Sequence, residues 1–335
     1  MTHFPVGKLD YRLLEKLLAL NPVRDPRVIV GPRIGEDAAV IDFGEKYLVV
    51  KTDPVTFTAK RIGWYTVNIN ANDIATMGAT PKWFLVTILL PEGKTDKRLV
   101  SQIFRDIIEA TRALQITLCG GHTEISYKID RPIIVGHMLG EVEKHKLVVN
   151  TRARPGDDLL LTKGIAIEGT AIIAREKEAV LRNKFGSKFV KRAQAFLDNP
   201  GLSVVKDALL ANSVARIHAM HDPTEGGLAT GVLELAKVSG TGVIIDEERI
   251  PCYPETEEIC KFYNIQPFGL IASGALLIAV DPGITKEVIA ILTKNGIVCT
   301  PIGKLTEKSE GLKLLRNGKS VKMQTFRVDE ITKVL

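Results

Sequence analysis

Carboxylates placed among apolar residues and glycines are the feature of this sequence that most restricts its fold. Three stretches carry them: Gly35-Glu36-Asp37-Ala38-Ala39-Val40, Lys51-Thr52-Asp53 and Asn72-Asp73-Ile74-Ala75-Thr76-Met77-Gly78-Ala79. A fourth stretch, Cys119-Gly120-Gly121-His122-Thr123-Glu124, adds a glycine pair with a carboxylate beyond it. An acid in apolar surroundings is costly unless a cation or hydrogen-bond donors compensate it. If the fold brings these acids together, they indicate Mg²⁺ and a polyphosphate, because Mg²⁺ takes a few carboxylates together with phosphate oxygens.

Length and composition predict a globular protein of two domains. The chain has 335 residues, of which 45% are hydrophobic and 25% charged, as in ordinary globular proteins with full cores. Its four cysteines are scattered without a CxxC pair, so we interpret them as reduced thiols. The first residues lack the apolar core of a secretory signal, and no apolar run approaches the ~20 residues that span a bilayer. We therefore expect a cytoplasmic protein with no membrane partner.

The positive charge does not by itself indicate nucleic-acid binding. The formal net charge is +6 and the pI about 9.0, but basic and acidic residues are interleaved along most of the chain. The densest basic stretch, 182–192, contains Phe185, Phe189 and Val190 at near-helical spacing. This pattern favours a solvated helix face over a nucleic-acid surface, so we expect no nucleic-acid partner. A mildly positive surface also attracts nucleotides and phosphorylated small substrates.

Both halves of the chain show mixed strand and helix patterns, which predict an α+β or α/β fold in each. In the first half, a helix is expected from about Arg61 to Met77, ended by Gly78. A strand is expected over Tyr47–Thr52, directly before Asp53. The polar stretch Asn150–Asp157 has the composition of a linker. It predicts domains at 1–150 and 151–335.

Two of the acids also have an ordinary structural interpretation. Asp53 follows a strand-like run, where ligands often meet a sheet, but aspartates in such positions are as often helix caps or turn residues. Asp73 lies in an apolar helical pattern near three asparagines, Asn68, Asn70 and Asn72. Because asparagine and aspartate are poor helix formers, we interpret this polar stripe as facing a ligand. The alternative is a polar face at a domain or subunit contact.

A glycine pair in the first half is a candidate for contact with phosphate. Gly120 and Gly121 follow the strand-like run Ile116–Cys119. Paired glycines allow the backbone to approach a phosphate closely. A plain turn is the alternative interpretation.

A second glycine pair lies in the second half. Asp222-Pro223-Thr224-Glu225-Gly226-Gly227 stands between the strand-like Val214–Ile217 and a predicted helix over Leu228–Ser239. A strand, an acid, a glycine pair and a helix N-terminus in this order favour an anion site. The alternative is that Asp222 or Thr224 only caps the helix.

Taken together and in order, these motifs resemble the superfamily of aminoimidazole ribonucleotide (AIR) synthase, which includes PurM, the hydrogenase maturation protein HypE, selenophosphate synthetase and thiamine-monophosphate kinase. The ordered set is Gly-Glu-Asp-Ala-Ala-Val, Lys-Thr-Asp, Asn-Asp-Ile-Ala, Gly-Gly-His-Thr-Glu and Asp-Pro-Thr-Glu-Gly-Gly-Leu. The resemblance extends from Pro5 to about Gly303. It implies a PurM-like α+β fold of two α/β domains. In that fold the N-terminal sheets of two subunits close a barrel, and ATP and Mg²⁺ bind near the dimer contact.

The resemblance also implies roles for residues at the matching positions. The implied metal ligands are Asp37, Asp53, Asp73 and Glu124. The implied nucleotide-binding residues are Lys51, Thr52, Asp53, Asn72, Asp73, Gly120, Gly121, Thr123, Asp222, Thr224, Gly226 and Gly227. His122 is the candidate for proton transfer, because the pKa of an unperturbed histidine lies near neutrality. The shared chemistry of the superfamily transfers the γ-phosphoryl group of ATP to an oxygen or selenium of the substrate.

The motifs are most like those of the HypE branch, with departures. HypE carries its substrate on a C-terminal cysteine, whereas this sequence ends Asp329–Leu335 without one. Ser273 stands where HypE proteins have glutamate, and Glu225 stands where they have arginine. His122 replaces an aspartate. Selenophosphate synthetase has a histidine there, but its N-terminal reactive cysteine or selenocysteine is missing from this sequence.

We therefore expect an ATP- and Mg²⁺-dependent homodimeric enzyme that phosphorylates a small substrate, at an amide or carbonyl oxygen. Two alternatives stay open. One is a HypE-type maturation factor that dehydrates a carbamoyl group on the thiol of a partner protein. The other, suggested by Glu225 and Ser273, is a non-catalytic nucleotide-binding protein that acts within a maturation complex.

Overall fold

A computed structural model of the chain describes residues 7–20, 22–56 and 60–335, without the side chain of Tyr11. Pro5 and Val6, where the family resemblance begins, lie outside the described residues. Within the described ranges, no helix has both the length and the apolar character needed to cross a membrane.

The described chain contains both helices and strands. The helices are α1 (Tyr11–Leu18), α2 (Ile62–Thr76), α3 (Lys97–Ala113), α4 (Ile167–Glu176), α5 (Glu178–Phe185), α6 (Ser187–Ala195), α7 (Val205–Val214), α8 (Gly227–Ser239), α9 (Pro254–Tyr263) and α10 (Thr285–Lys294). The strands are β1 (Val28–Val30), β2 (Ala39–Asp42), β3 (Lys46–Val55), β4 (Thr80–Pro91), β5 (Thr117–Ser126), β6 (Ile133–Glu143), β7 (Asp158–Thr162), β8 (Ala219–His221), β9 (Gly242–Asp246), β10 (Leu277–Val280), β11 (Cys299–Thr306), β12 (Leu312–Arg316) and β13 (Lys319–Lys322).

The chain folds into two compact units. The first comprises residues 25–31 and 37–147, and the second comprises 32–36 and 148–335 with the described residues of 1–24. Helix α1 therefore groups with the second half of the chain, which the sequence patterns did not predict. The division at residue 150 stays a prediction.

The first unit is a six-stranded sheet with helices on one face. Its strand order is β1-β2-β3-β6-β4-β5. Neighbouring strands are antiparallel except β4 and β5, which are parallel and joined through α3. Val49, Phe84 and Met138 are buried on the face that α2 covers. Because side chains alternate along a strand, the residues between them point to the opposite, more exposed face.

Helix α2 is buried on every side, as expected for a helix between a sheet and a second helix. A Cβ atom on Gly63 would lie 2.7 Å from the carbonyl oxygen of Ile103 in α3. A Cβ atom on Gly140 of β6 would lie 2.3 Å from the side chain of Ile74. Glycine at these positions is what lets both neighbours approach so closely. The predicted helix is confirmed, and Gly78, with a φ of +77°, follows its end as expected.

The second unit is built on a seven-stranded sheet in the order β13-β12-β9-β11-β7-β10-β8. Strands β7 and β10, each with a paired strand on both sides, are almost completely buried, which explains their continuous apolar runs. The core on one face joins Leu159 and Leu161 of β7 with Leu228, Val232 and Leu235 of α8.

Two local predictions were wrong. Helix α7 continues to Val214, and the strand that precedes Asp222 is β8, Ala219–His221, instead of Val214–Ile217. Gly120 and Gly121 do not form a turn after a strand but lie inside β5. Strand composition alone does not show where pairing begins or ends, because pairing depends on the neighbouring strand.

Gly121 is required where β5 pairs with β4. A Cβ atom there would lie 1.9 Å from the carbonyl oxygen of Val86, whereas one on Gly120 would have no atom within 4 Å. The φ angles of the two glycines are similar, 153° and 148°. We expect Gly121→Ala to lower the free energy of unfolding by about 1–3 kcal/mol more than Gly120→Ala. Urea unfolding of both variants measures the difference, and equal losses would show that backbone strain alone matters at this pair.

Candidate functional site

Three acids and a lysine of the first unit meet beside α2. The Nζ atom of Lys51 lies 3.2 Å from Oδ2 of Asp73 and 3.9 Å from Oδ2 of Asp53. Carboxylate oxygens of Asp37 and Asp73 lie within 4.8 Å of each other. We call Asp37, Asp53, Asp73 and Lys51 the acid cluster. The predicted convergence of the three acids is observed, and their role as metal ligands stays a prediction.

The strand period explains why β3 contributes two members of the acid cluster. Val49, Lys51 and Asp53 are alternate residues of one strand and so share the face that α2 covers. Thr52 lies between them, is exposed and points to the other face. The sequence suggested that the strand ends directly before Asp53, but β3 continues to Val55, so Asp53 lies within the strand.

Helix α2 contributes Asp73 from within the core of the unit. Asp73 is 3% exposed, and Asn72 beside it is fully buried. Burial raises the pKa of Asp73, and the charges of Asp53 and Asp37 raise it further against the opposing effect of Lys51, to about 7. A buried carboxyl held close to two others is stabilised in its ionised form by a divalent cation. The oxygen-only donor set of the three acids fits Mg²⁺.

Gly121 of the edge strand β5 lies in the same row of the sheet as Asp53. Asp53 pairs with Gly136, Gly136 with Val86, and Val86 with Gly121. Three strand spacings of about 4.8 Å place Gly121 roughly 14 Å from Asp53. Gly136 faces α2, because its Cβ would lie 2.3 Å from the side chain of Asn70. Gly121 therefore also lies on the α2 side of the sheet, together with Thr123, which is exposed.

His122 and Glu124 lie on the opposite face from the acid cluster, as does Gly120, because side chains alternate along β5. The Nε2 atom of His122 is 3.1 Å from Oε2 of Glu124, and both side chains are exposed. A hydrogen bond from Ser126, followed by the contact with His122, lowers the pKa of Glu124. Within one copy of the chain, His122 and Glu124 therefore do not join the acid cluster.

In the second unit, Asp222 follows β8 directly and is 1% exposed. The Thr224 carbonyl oxygen accepts the N–H groups of Gly227, at 3.0 Å, and Ala272, at 3.2 Å. The Gly226 N–H donates to Oδ2 of Asp329 at 2.6 Å. Both glycine N–H groups are thus engaged within the chain in this conformation. Their predicted contact with phosphate would require these hydrogen bonds to break.

Asp329 is a residue that the sequence analysis missed. Its Oδ1 also accepts the N–H groups of Ile331, at 2.8 Å, and Ile271, at 3.3 Å. Burial raises the pKa of this carboxyl, although its three backbone hydrogen bonds oppose the rise. An acid in a mixed terminal segment carries no motif, so no signal in the sequence indicated that it holds the Gly226 turn.

Comparison with known proteins places these features in a family. The family model of the AIR synthase related protein N-terminal domain matches residues 35–142, and that of the C-terminal domain matches 154–314. A Methanocaldococcus jannaschii protein named for hydrogenase expression/formation is 27% identical over 91% of this chain and 88% of its own length. The carbamoyl dehydratase HypE of Rhizobium leguminosarum is 27% identical over 78% of this chain and 73% of its own.

Solved structures show the same fold. The crystal structure of the hydrogenase maturation protein HypE in complex with ATP has a TM-score of 0.73 and 21% identity, and the match covers 98% of both chains. The predicted family and the two-domain mixed fold are confirmed. The prediction that the chain belongs to a family of enzymes is confirmed as well, since its relatives carry enzyme names.

The raised pKa of Asp73 predicts a pH dependence of stability in the metal-free protein. Between its ordinary value of 3.8 and about 7, the folded state holds a proton that the unfolded state has released. This contribution to stability is fully present below pH 3.8 and is lost as pH rises through about 7. We expect the free energy of unfolding of the wild type to fall relative to Asp73→Asn by up to about 1.4 kcal/mol per pH unit within that window.

Urea unfolding of both proteins in EDTA across this pH range measures the difference. With saturating Mg²⁺ the difference should flatten, because a bound cation removes the advantage of the protonated carboxyl. Parallel stability curves in EDTA would show that Asp73 titrates normally and that the acids do not act on one another.

Proposed function

The chain belongs to the AIR synthase related protein family, and from that premise we propose that it is an ATP- and Mg²⁺-dependent enzyme that phosphorylates a small substrate. The observation that carries the proposal is the acid cluster. Three carboxylates and one lysine leave a net negative charge in a partly buried place, where a divalent cation is the natural counter-ion. The HypE structure with ATP supports the choice of nucleotide.

In this proposal Asp37, Asp53 and Asp73 hold Mg²⁺. The ion supplies charge neutralisation to the triphosphate, so that an acceptor oxygen can approach the γ-phosphorus. Lys51 already contacts two of the acids, and its amine would turn toward the phosphates. Asn72 would flank the nucleotide, and Asp222 and Thr224 would bind it from the second domain. The substrate oxygen would be that of an amide or carbonyl group.

The strand that carries His122 suggests that the active form is a homodimer. His122, Thr123 and Glu124 lie on β5, an edge strand of the first sheet. The face of this sheet away from α2 exposes Trp83 by 36% and Leu85 by 37%. An apolar sheet face of this kind is typical of a protein contact. We infer that a second copy covers it, so that Gly120, His122 and Glu124 serve a site near that contact, while Gly121 faces the α2 side.

Binding of Mg-ATP tests the proposal. By isothermal titration calorimetry we expect ATP to bind with Mg²⁺ and far more weakly in EDTA. We expect Asp73→Asn to lower the affinity for Mg-ATP at least about tenfold, because truncating a buried charge contact costs about 1.4 kcal/mol or more. Asp42→Asn is the matched control, since Asp42 is paired with Lys144 outside the acid cluster. Equal affinities for the wild type and Asp73→Asn would remove the metal assignment.

A second candidate function is favoured by the named relatives. A carbamoyl dehydratase HypE matches 78% of the chain, so we propose as the alternative that the acceptor is a carbamoyl group on the thiol of a partner maturation protein. Phosphorylation of its oxygen by ATP and loss of phosphate would leave a thiocyanate, ADP and phosphate. A carbamoylated cysteine peptide is incubated with the protein and Mg-ATP. Mass spectrometry should then show that the peptide has lost the mass of one water molecule, as expected for conversion of the carbamoyl group to a nitrile.

The same assay separates the alternatives. If ATP is converted to ADP in the presence of other metabolites but the peptide gives no nitrile product, a small-molecule acceptor is favoured. Tight Mg-ATP binding without turnover of the peptide or of a metabolite library would favour a regulatory protein. In each case we place the protein in the cytoplasm.

A further inference from the structure

Asn70 is a fully buried polar residue in the middle of α2, one helical turn before Asp73. Its Nδ2 group donates to two carbonyl oxygens. One belongs to Thr66 of the same helix, at 2.8 Å, and the other to Asp53 of β3, at 3.2 Å. A single side chain therefore connects the helix that carries one acid to the backbone of another acid.

Asn68 shows what an asparagine does in this helix without that connection. It is 3% exposed, and its Nδ2 group donates to the Trp64 carbonyl oxygen at 2.9 Å. This is the same bond, four residues back, that Asn70 makes to Thr66. Among the hydrogen bonds of the described residues, the Asn68 side chain makes no second one. The link to β3 therefore distinguishes Asn70 from Asn68, whose amide binds its own helix and is not part of the acid cluster.

The sheet is shaped around Asn70. A Cβ atom on Gly136 of β6 would lie 2.3 Å from Nδ2 of Asn70, so any larger residue at Gly136 would displace the amide. Gly136 is also the residue of β6 that pairs with Asp53. The glycine thus opens the space through which the asparagine reaches the Asp53 carbonyl.

Stability alone does not account for Asn70. Its Oδ1 atom is buried and accepts no hydrogen bond within the described part of the chain. A buried acceptor left without a donor costs about 1–3 kcal/mol, which offsets most of what the two Nδ2 hydrogen bonds contribute. The net contribution of Asn70 to stability is therefore small, and its distinctive effect is the link to the Asp53 backbone.

The segment that Asn70 holds is paired on one side. Strand β2 pairs with β3 only as far as Val50, so among the described strands the part of β3 from Lys51 to Val55 pairs with β6 alone. Carboxylate oxygens of Asp37 and Asp73 lie within 4.8 Å of each other, and the side chains of Asp53 and Asp73 lie 3.9 and 3.2 Å from Nζ of Lys51, so these like charges repel one another. Without a hydrogen bond to α2, this repulsion would move Asp53 away from that helix.

We propose that Asn70 is a positioning residue that holds Asp53 against Asp73 and so sets the spacing of the metal-binding acids. The inference rests on the proposed function, because it assigns the spacing to a divalent cation. The asparagine itself contacts neither the cation nor the nucleotide. It acts through the backbone of Asp53.

The test compares Asn70→Leu with Asn68→Leu in the full chain. Mn²⁺ is the probe, its binding measured by electron paramagnetic resonance with and without ATP, and thermal unfolding is followed in EDTA. We expect Asn70→Leu to lower the affinity for Mn²⁺ at least tenfold while its unfolding temperature stays close to that of the wild type. We expect Asn68→Leu to change Mn²⁺ affinity less than twofold.

Other outcomes decide against the proposal in distinguishable ways. Wild-type affinity for Mn²⁺ in Asn70→Leu would overturn it, as would a loss of affinity that Asn68→Leu shares. If Asn70→Leu does not fold, Asn70→Ala is measured in its place; failure of both, with Asn68→Leu folded, would make Asn70 a determinant of the fold only. A wild-type protein that binds no Mn²⁺ with or without ATP would reject the proposed function, and the inference with it.

Discussion

Repulsion among the three carboxylates of the acid cluster is the interaction that determines the properties of the candidate site. One of them, Asp73, is fixed in place by the buried helix α2. Asp73 cannot move toward solvent without shifting α2, and α2 packs against the sheet on one side and α3 on the other. Lys51 compensates part of the negative charge from β3. The remainder raises the pKa of Asp73 and creates the need for a cation.

The packing of α2 follows from this arrangement. A helix buried on every side is usually apolar, yet α2 carries Asn68, Asn70, Asn72 and Asp73 in its interior. The side-chain amides of Asn68 and Asn70 donate to backbone carbonyls of the same helix or of β3. Glycines at close contacts let the neighbouring elements approach the helix. Such a layout sacrifices stability for geometry, a compromise that proteins tolerate mainly at functional sites.

In the second unit, the glycine turn at Gly226 is stabilised by a hydrogen bond within the chain. The residues that suggested an anion site from the sequence are present, but a carboxylate of the chain itself already accepts the Gly226 N–H. Asp329 brings the turn, the Ile271 backbone and its own segment together. The N-terminus of a helix attracts anions, and here the anion beside it is the carboxylate of Asp329 from the same chain. This occupation explains why a glycine-rich motif alone is weak evidence for phosphate binding.

Much of the fold was readable from local patterns. The helix around Asp73 and its end at Gly78 were predicted because a run of apolar and polar residues and a glycine stop are local features. Asp53 was misplaced at a strand end, and Gly120 and Gly121 were expected to follow a strand instead of lying inside one. In both cases the composition of the strand was clear but its extent depended on pairing with β6 or β4.

The order of short motifs determined the family, the mixed two-part fold and the acids that matter, since each motif is contiguous and needs no partner to be recognised. Only the tertiary structure decided which acids meet, which side of β5 carries His122, and which N–H groups are already in use. Strand register sets the facing of every side chain. The partner of Gly226 lies 103 residues away along the chain, at a distance that no local pattern encodes.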